Sequence, residues 1–226
     1  MAVGAVIVAV DGAASVVGLV QELRREVLEV SVASPALFDG DALDRPVVLL
    51  CLGERESAGL FERAAAWAER RQPRPGLVAL TGATDRGLAE RALAAGFDDA
   101  VVGPPSAREL AARIRAVHRR VHWAGRGRAG RVRFGAMTLD TDGHELWIDG
   151  RSVALTATEL SVVRTLMRAQ GRAMSRGELL DAAWGSGNFD ISERAVDNVI
   201  LRLRRKLPRP DVIQTVRGVG FRIASD

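Results

Sequence analysis

The first 103 residues contain five short runs, AVIVAV, EVSVA, VVLLCL, LVALTG and DAVVG, that are too continuously apolar to alternate between a buried face and a wet one. Strands of that kind are covered on both sides, which calls for a parallel sheet with helices packed over each face. The stretches between and after them, VVGLVQELRRE, LFERAAAWAERR, GLAERALAAG and ARELAARIRAVHRR, have the amphipathic spacing that supplies such helices. In open sheets of this type chemistry gathers at the carboxyl ends of the strands. Val10, Asp11, Cys51, Thr81 and Gly103 are therefore expected around one crevice.

Five strands in this pattern predict an α/β flavodoxin-like (βα)5 domain over residues 1–120, and 226 residues leave room for a second domain. RRVHWAGRGRAGRVR, rich in Gly and Arg without an apolar period, predicts a linker at 121–130 and a second domain at 131–226. Charge divides at the same place. The first 120 residues carry 15 arginines against 16 acids, whereas the remainder carries 17 cations against 12 acids. That asymmetry favours a nucleic-acid-binding module tethered to a neutral one. No run reaches the roughly 18–20 apolar residues of a membrane helix, and MAVGAVIVAVDG lacks the basic flank of a signal peptide. A cytoplasmic protein with no membrane association is expected. One Cys and three scattered His make neither a disulfide nor a zinc site, so no metal or cofactor is expected.

The crevice positions resemble those of a response-regulator receiver domain. The resemblance implies an acidic pair after the first strand for Mg²⁺, a phosphate-accepting Asp after the third, a Thr or Ser after the fourth and a Lys after the fifth. This chain keeps Asp11 but has Val10 beside it, keeps Thr81, and places Cys51 and Gly103 where the Asp and Lys are expected. Residues 1–205 contain no lysine at all. Mg²⁺ needs anionic oxygens and a phosphoryl group needs cationic charge, so the reading is a degenerate receiver without phosphotransfer and without a phosphodonor kinase as partner. Three readings of Cys51 stand open: a small apolar core residue, a redox switch, or the site of a ligand or modification in the vacated crevice.

Arg91, Asp98, Asp99, Glu109, Arg113 and Arg115 form a mixed-sign set along the fourth helix, fifth strand and fifth helix of the (βα)5 pattern. The set resembles the one through which active regulators of this family pair about a two-fold axis, which implies a homodimer. In a chain this rich in Arg, a helix end shows such charges in any case.

The second half opens with β-rich runs broken at Asp142-Gly143 and Asp149-Gly150, both hairpin signals. Three helices follow. Thr156 with Glu159 and Ser175 with Glu178 match the capping box, and Asp190 with Glu193 fits a looser version. In SERAVDNVILRLRRKL, Val196, Val199, Ile200, Leu203 and Leu207 make one apolar stripe, while Arg194, Asn198, Leu201, Arg202 and Arg205 lie opposite. Arg takes guanine and Asn takes adenine bidentately, and Arg204 and Lys206 are placed to reach phosphates. Leu201 could touch a thymine methyl or merely be exposed. VIQTVRGVGFRIA reads as a hairpin wing whose tip residue, Arg217, either enters a minor groove or is a solvated charge.

LTATEL, AVDNVILRLRRKL and TVRGVGFRI, in this order and spacing, resemble the winged helix-turn-helix domain of OmpR/PhoB-type response regulators. The resemblance implies an α+β winged-helix domain, double-stranded DNA as partner, a transcription regulator rather than an enzyme, and repeated half-sites. The family's reading helix runs close to VDVHISRLRRKL; Asn198, Val199 and Leu201 depart from it and put the operator sequence in question. Trp184, Gly185, Asn188, Phe189 and Asp190 match the loop that in relatives touches RNA polymerase.

Overall fold

The five apolar runs become five parallel strands, β1 (Val3–Ala9), β2 (Leu28–Ala33), β3 (Val47–Cys51), β4 (Gly76–Thr81) and β5 (Asp99–Val102), in the order β2-β1-β3-β4-β5. The computed structural model describes residues 3–26, 28–40, 45–51, 59–71, 74–82, 86–122, 130–141, 145–185 and 191–224. They divide into two units, Met1–Val121 and His122–Asp226.

In the first unit the helices are α1 (Val17–Arg25), α2 (Leu60–Glu69), α3 (Arg86–Ala95) and α4 (Ala107–His122). A 3-10 turn, Pro35–Asp39, occupies the β2–β3 connection. Strand β3 is buried along its whole length, as expected of a central strand in a doubly covered sheet. Its alternate residues Val47, Leu49 and Cys51 join Val20 and Leu23 of α1 and Leu110, Ile114 and Val117 of α4 in one core cluster. On α2, Phe61 meets Phe97 edge-on, with ring centroids 5.3 Å apart. The expected linker 121–130 begins inside α4, and 123–129 lie outside the described residues.

The second unit opens with a four-stranded antiparallel sheet, β6 (Arg131–Phe134), β7 (Met137–Asp140), β8 (Glu145–Ile148) and β9 (Arg151–Ala154). The expected Asp142-Gly143 turn lies outside the described residues. Asp149 and Gly150 form the two-residue turn of the β8–β9 hairpin with φ of 49° and 76°, the left-handed pair that matches strand twist. Met137, Leu139, Leu146 and Ile148 are buried on one side, while Trp147 stands exposed on the other.

Helices α5 (Ala157–Arg168), α6 (Arg176–Trp184) and α7 (Arg194–Lys206) follow. Both expected capping boxes are formed, Thr156 with Glu159 and Ser175 with Glu178, each side chain bonding the other residue's backbone N–H. The third is not. Helix α7 begins after Glu193, whose backbone is already helical and whose side chain makes no cap hydrogen bond; Asp190 lies outside the described residues. The chain ends in β11 (Ile213–Val216) and β12 (Gly220–Ile223), joined by the two-residue strand β10 (Met174–Ser175) in the order β10-β12-β11.

Candidate nucleic-acid interface

Helix α7 buries Val196, Val199, Ile200 and Leu203, and Leu207 just beyond it, which fixes what the rest of its surface presents. At about 100° per residue, Arg194, Asn198, Leu201 and Arg205 fall within an arc of about 60° opposite that stripe. Arg194, Leu201 and Arg205 are exposed and Asn198 is partly so. Arg202 and Arg204 sit about 80° to either side.

These flanking cations have intramolecular partners. Glu159 is fully buried, and its two carboxylate oxygens lie 3.4 Å from Arg202 Nε and 3.0 Å from Lys206 Nζ. Only 14% of the Arg202 side chain is exposed. Arg204 donates from Nη2 to Ile213 O at 2.7 Å and to Thr215 Oγ1 at 2.9 Å, and its guanidinium lies over the Phe221 ring. Arg202 and Lys206, expected to read bases and to reach phosphates, thus tie α7 to α5, and Arg204 ties it to the wing. Sequence reading missed these roles because the partners lie 43, 47 and 9 residues away. It also missed Arg176, which meets Asp197 at 2.9 Å and stacks on Phe221 from α6, fixing the angle between the two helices.

The wing tip carries Arg217, exposed in the turn between β11 and β12. Gly220 closes that turn with φ of 157°, and a Cβ on it would overlap the Met174 carbonyl oxygen. Only glycine lets β10 approach β12 this closely. Of the residues expected to face RNA polymerase, Trp184 is buried and Gly185 is exposed after α6, while Asn188, Phe189 and Asp190 lie outside the described residues.

In the first unit, Val10 N–H donates to Cys51 O at 3.2 Å and Gly103 N–H to Thr81 O at 3.0 Å, so the β1, β3, β4 and β5 ends do adjoin. Asp11 is exposed. The Thr81 hydroxyl is buried and donates to Val101 O at 3.3 Å. Cys51 is 8% exposed, and burial pushes its thiol up to about 12. Burial thus disfavours the thiolate, the form that reacts with oxidants.

The residues of the expected pairing face divide between buried and exposed positions. Asp98 is fully buried, bonded through Oδ2 to Arg74 Nη1 at 2.7 Å and to Leu77 N–H at 2.9 Å. Asp99 is buried 3.6 Å from Arg113; burial raises its carboxyl above the usual range, against the pull of Arg120 and Arg113. Arg113 also donates to Glu109 one turn earlier. Arg115 donates to the Glu26 carbonyl at the end of α1, away from β5. Arg91 and Glu109 remain at the surface.

A flavodoxin-like unit followed by a winged helix is the architecture of a two-domain response regulator. The family description "Transcriptional regulatory protein, C terminal" matches residues 150–223. The chain is 37% identical over 158 residues to the transcriptional regulatory protein AfsQ1 of Streptomyces coelicolor, covering 68% of each chain. It is 38% identical over 152 residues to the phosphate regulon transcriptional regulatory protein PhoB of Pseudomonas aeruginosa, covering 66% of this chain and 65% of that one, just under two thirds of the relative's length. A solved structure of a cysteine-to-serine mutant of RitR superposes with a TM-score of 0.71 over 98% of this chain and 99% of that one, at 22% identity, a likeness of fold. The chain belongs to the OmpR/PhoB family of response regulators. These relatives are transcriptional regulators and not enzymes.

Proposed function

We propose that this protein is a transcription regulator that binds double-stranded DNA as a homodimer, with α7 in the major groove and the wing in the adjacent minor groove, and that it does so without phosphorylation. The observation that carries the DNA reading is the α7 face of Arg194, Asn198, Leu201 and Arg205, set opposite a fully buried stripe and held in place by Glu159. Arg217 extends the cationic surface to the wing tip. Contacts of this type release counterions, so affinity for duplex DNA should fall steeply and linearly on a plot of log K against log salt. Binding by the full chain, measured by anisotropy across a salt series, tests this; a signal absent at low salt contradicts it.

Phosphorylation independence rests on the chemistry of the crevice. A buried neutral thiol stands where the family accepts phosphate, and no lysine exists in residues 1–205 to neutralise a phosphoryl group. Incubation with a small phosphodonor and Mg²⁺ should leave the intact mass unchanged. An added phosphate on the first unit would refute it.

The homodimer reading is carried by Arg91 and Glu109 on α3 and α4, with Asp98 and Asp99 stiffening the β5 edge from inside instead of crossing the interface. Arg91→Glu should shift the sedimentation profile toward monomer. An unaltered profile would place the interface elsewhere.

A further inference from the structure

Four side chains face outward along α7, and one of them is out of place on a surface that meets only water. Leu201 is 48% exposed at the centre of the reading face, three residues after Asn198 and four before Arg205. A single exposed leucine is ordinarily unremarked. Its setting distinguishes this one. The cations that flank the face, Arg202 and Arg204, are engaged by Glu159 and by the β11 backbone. Its neighbours on the same face, Arg194, Asn198 and Arg205, are each side chains suited to hydrogen-bonding a base edge or a phosphate.

Of the groups on the floor of the major groove, the thymine C5-methyl offers the protruding apolar surface. From the DNA-binding reading of α7, on which this inference rests, we infer that Leu201 is a specificity-determining residue that selects an A·T pair by packing on that methyl. Leu201 lies about 4.5 Å along the helix axis from Asn198 and about 6 Å from Arg205. With bases stacked about 3.4 Å apart, the selected thymine lies within about two steps of the pairs those residues read. Asn198 beside it prefers adenine, so the two together favour a short A·T step in the operator. The family's reading helix carries Ser at this position, and its hydroxyl has no such preference.

The experiment uses the full chain and a duplex selected by it from a random pool. Each thymine of that duplex is replaced in turn by deoxyuridine, which differs only in lacking the methyl. One replacement should weaken binding about fourfold, the affinity equivalent of burying one methyl at about 0.8 kcal/mol. With Leu201→Ala, which leaves α7 helical, the same replacement should change affinity less than 1.5-fold, on the order of the noise in such cycles. Equal losses in both proteins, or no methyl-dependent position at all, overturn the assignment while leaving DNA binding intact. Failure to retain any duplex overturns the DNA reading, and this inference with it.

Discussion

Replacing Glu159 with glutamine separates the two things its side chain does. The amide can still accept from the Thr156 N–H and preserve the capping box. It cannot balance Arg202 and Lys206, both held against it in a buried setting. Removing one partner of a buried ionic cluster leaves charge without compensation, and partial escape of the two cations to water moderates the loss. Glu159→Gln should therefore destabilise the second unit by about 2–3 kcal/mol, read as a lower denaturant midpoint at unchanged slope; a shift under about 0.5 kcal/mol would mean that the cations are not held by this carboxylate. The same logic changes the expected effect of Arg202→Ala, which should weaken binding to all duplexes alike through a loosened α7. Cys51 offers a second residue-scale test. With its thiol pushed up to about 12, the thiolate fraction at pH 8 is about 10⁻⁴, against about a quarter for an exposed thiol near 8.5. Alkylation by iodoacetamide should be about a thousandfold slower in the native chain than in urea. Comparable rates would place the sulfur at the surface.

At the scale of elements, periodicity made most of the fold readable. Apolar continuity specified the parallel strands, two capping boxes marked where α5 and α6 begin, and the stripe of α7 told inside from outside. What spacing could not convey was the use of charges. Asp98 and Arg113 look like surface ions in sequence because nothing local reveals that Arg74, just before β4, and Asp99, in β5, meet them. Arg204 likewise looks like a phosphate ligand until the strand behind it is in place. Arginine is ambiguous in this way because a long apolar stem and a five-donor head suit burial beside a carbonyl as well as contact with solvent. Strand β10 was also illegible, since two residues have no period. Its pairing nonetheless makes a sharp demand on Gly220. A methyl there meets the Met174 carbonyl, a backbone atom that no rotamer change can move. Gly220→Ala should cost about 2 kcal/mol or more by separating β10 from β12. Hydrogen exchange should report it as faster opening at Met174 and Phe221, residues paired in the native ladder. Unchanged protection there would mean that the wing tolerates a wider spacing.

The whole molecule joins a neutral unit with its own doubly covered sheet to a basic unit with its own core and three-helix wing assembly. Each has enough buried apolar surface to be stable alone, so residues 122–226 should fold in isolation and bind a single half-site with about the affinity of the full chain. A duplex with two half-sites distinguishes them. If the first unit pairs two copies, binding of one winged helix raises the effective concentration of the other, and affinity should rise by about a hundredfold or more without any new contact to DNA. Because phosphorylation plays no part in the proposed mechanism, that gain should be present in untreated protein and insensitive to a phosphodonor. The comparison needs only two proteins and two duplexes at one salt concentration, since changing salt would move both affinities together. Equal affinity of the full chain and of residues 122–226 for the paired site would show that the first unit contributes no pairing. In that case the charges on α3 and α4 are internal to one copy, as those of Asp98 and Asp99 already are.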